Sequence, residues 1–463
     1  MGRSDTPRAD RPTLVHTEGE SNTSAARKAY SAGIGPNSAP LLARDSAVFL
    51  HQSLSTPCVN TIAKAEGIWI EDCDGNRYMD FHGNSVHHIG YGHPRLLAAI
   101  KKQLDELPFS PRRFTNDVSV QLAEALTARA PTGMGKLLFT TGGSDANEVA
   151  LKIARAATGR FKTLSFWDAF HGAGFGAAAV GGEATFRSHI AGPLMPGTEH
   201  VAPFACYRCP YGHAGPEVCG LACASMVDYV LGREGDVAAV IAEPMRAVPY
   251  VPPPGYWKAV QEACHRHGAL LIMDEIPTGL GKTGRFFAFE HDGIEPDLVV
   301  LGKALGGGVL PIAACLARTD LDVCGDFAIG HYTHEKNPVT ARAALTTLQI
   351  IDDEALVARA DRLGAHALAR LSETLANCPI VGDIRGRGLM FGVEIVADQD
   401  SKTPGNSLAE AIYYRAMNAG LSFKISQGCV LTLSPPMTIA DTDLDTALGI
   451  VERAILEVAA APA

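Results

Sequence analysis

Short apolar runs alternate with longer stretches of helical spacing through the middle of this chain. The runs at 136–140, 163–166, 237–242, 269–273, 298–301 and 312–317 are each four to six residues long. Apolar runs of that length, bounded by turn residues, read as buried strands. Between the first two, Ala146, Val149, Ala150, Ile153 and Ala157 fall on one face of a helix over 144–157. Residues 256–267 have the same character and stop at Gly268, a helix-ending glycine. Buried strands separated by helices predict an α/β architecture, with a mostly parallel central sheet covered on both faces.

The pattern differs at the two ends. Residues 1–40 are rich in Ser, Pro and charge and read as a loose arm. The stretch 67–80, "GIWIEDCDGNRYMD", alternates around Asp74-Gly75 and reads as a hairpin. After about residue 341 helices dominate, at 353–377, 407–419 and 441–457, with strands near 389–396 and 429–433. The expected division is an arm at 1–40, an N-terminal segment at 41–86 that packs with the small domain, a large domain at 87–341 and a smaller α+β C-terminal domain at 342–463.

Composition narrows the function classes. The 463 residues are 46% apolar and 19% charged, a globular balance. The formal net charge of −10, with no Lys/Arg block, speaks against a nucleic-acid partner. No apolar stretch approaches ~18 residues, so no membrane span is expected. The first residues lack a signal peptide's apolar centre, and eleven cysteines make an odd count, so a cytoplasmic protein with reduced thiols is expected.

In open α/β sheets ligands collect at the carboxyl ends of strands. After 136–140 come Gly142, Gly143 and Ser144, leading into a helix. Free N–H groups there make an anion site, or simply a capped turn. After 163–166 comes "WDAFHG", in which Phe170 offers a flat face and His171 a polar group. After 269–273 comes Asp274, and after 298–301 comes Lys303, a carboxylate and an ammonium that are costly to bury alone. Pyridoxal phosphate needs an anion cradle, a carboxylate opposite its ring nitrogen and a lysine for the Schiff base, so one cofactor accounts for all of them. "GLGKTG" at 279–284 is not a P-loop, because Ile276 stands where the first glycine would be.

"LLIMDEIPTGLGKTGR", Asp297 and Lys303, in this order, resemble the class III aminotransferase family, pyridoxal-phosphate enzymes of fold type I, over nearly the whole chain from about residue 40. The resemblance implies that Lys303 bears the Schiff base and that Asp274 pairs with the pyridinium nitrogen. It implies that Gly143 and Ser144 hold the phosphate, with Phe170 and His171 beside the ring. It implies a homodimer with active sites at the subunit interface, and "HYTHEKNPV" gives Thr333 as the residue reaching the neighbouring subunit's phosphate. "DIRGRGLMFGVE" gives Arg385 as a substrate-anion ligand. The chain departs from the family at two positions. Pro277 replaces a common glutamine, and Val248 replaces the second glutamate of ornithine- and GABA-type members, so Arg385 is expected to lack a carboxylate gate.

"FLHQSLSTPC", "DELPFSPRRFTN" and "CYRCPYG" are most similar to the family's aminophosphonate ammonia-lyase branch. That implies elimination from a small hydroxylated aminophosphonate, with Arg112, Arg113 and Arg385 as phosphonate ligands. A transaminase moving an amine to a keto acid is the alternative, and a racemase is also open. Cys206, Cys209, Cys219 and Cys223 form C-x2-C-x9-C-x3-C. The reading taken is a loop of reduced cysteines without metal, the alternative a structural zinc knuckle.

Overall fold

A computed structural model describes residues 24–52, 55–187 and 192–461. Near the N-terminus, β1 (Lys64–Glu66), β2 (Trp69–Glu71) and β3 (Arg77–Asp80) form the expected antiparallel hairpin with one further strand. Asp72 closes its turn, accepting from the backbone N–H groups of Asp74 and Asn76 at 2.9 Å each.

The central sheet contains β4 (Lys136–Thr140), β5 (Lys162–Phe166), β6 (Thr198–Val201), β7 (Val237–Ala242), β8 (Leu270–Asp274), β9 (Leu298–Leu301) and β10 (Ala313–Ala317). Its order is β4-β10-β9-β8-β7-β5-β6. Neighbours from β9 to β6 run parallel, and β10 runs antiparallel to both β4 and β9. Side chains of β7 to β10 alternate between two cores. Ile241, Ile272, Val300 and Cys315 pack with Val149, Ala150 and Ile153 of the helix Gly143–Thr158. Val240, Met273, Leu301 and Leu316 join the larger core on the other face. Each such buried aliphatic side chain contributes about 1.5–3 kcal/mol. Two-sided burial is the reason these strands read as unbroken apolar runs.

A second sheet follows. It comprises β11 (Val381–Arg387), β12 (Met390–Asp398) with β13 (Thr403–Pro404) at its edge, β15 (Lys424–Ser426) and β16 (Val430–Leu433). Between them β14 (Leu421–Ser422) pairs in parallel with β3, tying the N-terminal hairpin to this part of the chain.

Some expectations shift. Residues 25–32, inside the stretch read as a loose arm, form the helix Ala25–Ala32, whose cap Ser24 accepts from Arg27 N–H at 2.9 Å. Residues 1–23 lie outside the described residues. The helix expected at 353–377 runs over Leu356–Thr374, and a further helix, Pro338–Asp353, precedes it, the two separated at Ala355 with φ of +49°. The preceding helix starts where Asn337 accepts from Val339 and Thr340 N–H groups at 2.8 and 3.1 Å. No helix among the described residues is long and apolar enough to cross a membrane.

Candidate active site

Because β4, β5, β7, β8 and β9 point the same way, their carboxyl ends bring distant residues together. Asp274 ends β8. Gly302 follows β9 and delivers Lys303, whose φ of +43° is in the left-handed region. A bulky residue held there stores on the order of 1–3 kcal/mol of strain. The loop after β5 supplies Phe170, His171 and Gly172, and the helix after β4 begins at Gly143.

These residues line one cavity of about 180 Å³: Gly143, Ser144, Phe170, His171, Asp274 and Lys303, walled by Ile276 and Pro277. Asp274 is 1% exposed. Three donors fix its carboxylate. His171 Nδ1 and Asn147 Nδ2 approach Oδ2 at 2.8 and 2.9 Å, and Ile276 N–H donates to Oδ1 at 3.0 Å. Asn147 also donates to the carbonyl of His171 at 2.8 Å, locking the loop after β5 to the helix after β4. Such bonds occupy both oxygens of the buried carboxylate and fix its orientation.

The cradle has no room for side chains. A Cβ at Gly143 would lie 2.5 Å from Ile276 Cδ1, and one at Gly172, where φ is +131°, would lie 2.3 Å from Ser144 Oγ. Ala173 N–H donates to Ser144 Oγ at 3.3 Å, drawing that hydroxyl into the cradle. A helix N-terminus with a hydroxyl, a flat aromatic side chain, a buried carboxylate and an amine in one small cavity fit pyridoxal phosphate.

A larger cavity of about 450 Å³ adjoins the first and shares Phe170, Pro277 and Lys303 with it. Its other walls include His82, Ser85, Glu243, Arg246, Val248 and Lys424. Val248 is buried, so an apolar side chain stands at the position where a second glutamate was looked for.

The remaining expected site residues lie elsewhere. Arg385 lines neither cavity. Its guanidinium donates to Asp383 at 2.7 Å, Glu394 at 2.5 Å and the Pro249 carbonyl at 3.0 Å, and it lies 4.7 Å from the Tyr250 ring centroid. The gate position holds Val248, yet Arg385 is bound by two fixed carboxylates, Asp383 two residues earlier on β11 and Glu394 on the paired strand β12, so the expectation that it binds the substrate's anion is corrected. Arg112 and Arg113 also line neither cavity; Arg112 Nη2 instead meets His331 Nε2 at 2.6 Å. Thr333 is exposed. Cys206, Cys209, Cys219 and Cys223 line one small space of about 20 Å³, yet no metal-holding group of His, Cys, Asp or Glu occurs among the described residues. Burial pushes the Cys223 thiol up to about 11, which disfavours the thiolate. All eleven cysteines are free thiols. Lys282 of "GLGKTG" is fully buried and donates to the carbonyls of Ser434 and Pro435, with no phosphate-binding helix after it.

Sequence reading missed Asn147, Glu243, Arg246 and Lys424. Asn147 carried a signal: an amide on the apolar face of a helix, one residue after Ala146. Glu243 and Arg246 lie in the loop after β7, in which only Val248 stood out in the sequence.

Known proteins agree with this geometry. The family model described as Aminotransferase class-III matches residues 51–455. A curated relative from Vibrio splendidus, named (R)-1-hydroxy-2-aminoethylphosphonate ammonia-lyase, is 42% identical over 96% of this chain and 96% of its own. A leucine/methionine racemase from Thermococcus litoralis is 36% identical over 90% of this chain and 95% of its own. Among solved structures, the omega transaminase from Pseudomonas jessenii in complex with PMP superposes with a TM-score of 0.85 at 28% identity, covering 90% of this chain and 98% of that one. The fold is that of the pyridoxal-phosphate-dependent transaminases, and this chain belongs to the class III aminotransferase family of enzymes that use that cofactor.

Proposed function

We propose that this enzyme eliminates ammonia from a small amino alcohol bearing a phosphonate, (R)-1-hydroxy-2-aminoethylphosphonate, and yields phosphonoacetaldehyde with no keto acid acceptor. The observation that carries the reading is the 42% identity to the ammonia-lyase along 96% of both chains. The apolar wall at Val248 supports it, because the site lacks the second glutamate with which ornithine- and GABA-type members alternate between an amine donor and glutamate.

The bound cofactor supplies an electron sink for the carbon beside the substrate nitrogen. Asp274, fixed by His171, Asn147 and the Ile276 N–H, would face the ring nitrogen of the bound cofactor and favour its protonated form. Gly143, Ser144 and the Gly172 turn would hold the phosphate, and Phe170 and Pro277 would confine the ring. Lys303 sits where the two cavities meet and takes the proton from the amine-bearing carbon as general base. The hydroxyl on the next carbon then departs with its bonding electrons and takes up a proton as water. Hydrolysis of the unsaturated amine restores that water and frees ammonia, so substrate equals aldehyde plus ammonia and nothing is oxidised.

The same reading makes the protein a cytoplasmic homodimer in which Thr333 serves the neighbouring subunit. The exposure of Thr333, together with that of the apolar side chains Phe49, Leu50 and Phe114, supports the dimer. The test is ammonia production from the amino alcohol without any keto acid. Many turnovers are expected; one half-turnover that stops with the cofactor aminated overturns the reading in favour of a transaminase, the activity named in the solved neighbours. Borohydride reduction followed by peptide mapping is expected to fix the cofactor on Lys303.

A further inference from the structure

We infer that Arg246 and Lys424 form the clamp for the substrate's acidic group and set the preference of the larger cavity for a dianion. This rests on the proposed phosphonate substrate and replaces Arg112, Arg113 and Arg385 as its ligands. Arg246 and Lys424 reach the cavity from opposite parts of the fold, the loop after β7 and the start of β15. The cavity also holds Lys303, so the acidic group and the reacting carbon share one space of about 450 Å³, sized for a small molecule.

Arg246 is 3% exposed and held from behind by Glu183 and Glu243, each at 3.4 Å. Those distances are at the outer limit of a hydrogen bond, so a phosphonate oxygen at 2.7–2.9 Å competes well for the guanidinium. A third carboxyl, Asp168, also feels Arg246; its burial pushes its proton affinity up, which weakens its claim. Arg385 contrasts with this, bound at 2.5–3.0 Å by two carboxylates and a carbonyl and set outside the cavity. Among the lining residues Glu243 is the single carboxylate, against Arg246 and Lys424. Glu243 itself is engaged by Phe170 N–H at 3.3 Å and Ala247 N–H at 3.2 Å, which partly neutralise it. His82, Ser85 and Ser422 add hydrogen-bonding groups around the two cations. A doubly charged, three-oxygen group gains more from two cations than a carboxylate does.

The test uses holoenzyme and isothermal calorimetry with two probes that lack an amine and so cannot react with the cofactor: 2-hydroxyethylphosphonate and 3-hydroxypropionate. Wild type is expected to bind the phosphonate about tenfold or more tighter than the carboxylate, and R246Q and K424Q each to weaken phosphonate binding about ten- to hundredfold. R246K is expected to recover part of the loss. Equal binding of the two probes by wild type, or wild-type phosphonate affinity in K424Q and R246Q, overturns the clamp. Should R246Q fail to fold, K424Q, a half-exposed strand position, decides alone. Ammonia release by wild type is scored separately. Sustained release with unaltered probe binding in the variants sinks the clamp alone; lost probe binding without ammonia release in wild type sinks the lyase reading alone.

Discussion

Replacing Asp274 with asparagine keeps the side chain's shape and removes its charge, so it separates folding from chemistry. In the native site His171 and Asn147 both donate to Oδ2 and Ile276 N–H donates to Oδ1. An asparagine carbonyl placed at Oδ2 keeps the first two bonds. Its NH2 group then faces the Ile276 N–H, and one buried donor loses its acceptor. That conflict costs about 1–3 kcal/mol of folding stability, to be read from urea unfolding of the cofactor-free protein. The chemical loss is separate. A hydrogen bond to a charged partner is worth about 1.5–3 kcal/mol, and each 1.36 kcal/mol on a barrier is about tenfold in rate. Ammonia release by D274N at saturating substrate and full cofactor loading is therefore expected to fall about ten- to hundredfold or more. A fully loaded D274N that turns over within about threefold of wild type refutes the assignment of this carboxylate to the ring nitrogen.

Gly172→Ala puts a methyl group 2.3 Å from Ser144 Oγ in a backbone with φ of +131°. Strain of about 1–3 kcal/mol predicts cofactor binding weakened about tenfold or more in an absorbance titration, and unchanged affinity overturns the cradle. Glu275 is fully buried, and burial pushes its carboxyl up to about 8 from 4.5. The folded state thus keeps a proton that the unfolded chain releases, so this group's contribution is whole below pH 4.5 and is lost as pH rises through 8. The advantage of E275Q over wild type in urea unfolding is expected to grow from pH 5 to pH 8; curves that stay parallel disprove it. Cys206, Cys209, Cys219 and Cys223 are expected to hold no metal, so purified protein should contain no stoichiometric zinc and chelator should leave its melting temperature unchanged.

The chain's own pattern sufficed for the strands that are buried on both faces. Val237–Ala242 and Leu298–Leu301 occur where the apolar runs put them, because burial on two sides demands an apolar residue at every position. Two other strands were less legible: Thr198–Val201 is a short edge strand with half-buried polar residues, and Val381–Arg387 of the second sheet mixes glycine with charge. The direction of β10 was not legible at all, since an apolar run has no arrow. Lys303, Asp274, Gly143 and Ser144 could be placed together from the sequence because each follows a recognisable strand, and a parallel sheet delivers such ends to one cavity. The substrate side depended on tertiary structure. Whether an arginine faces a cavity or a carboxylate depends on which strand lies across from it, and Arg385 and Arg246 look alike in sequence. Only strand register sets Arg385 beside Glu394 across β11 and β12, and only tertiary folding brings Arg246 to the cavity shared with Lys303 and Lys424, because those residues come from segments far apart along the chain.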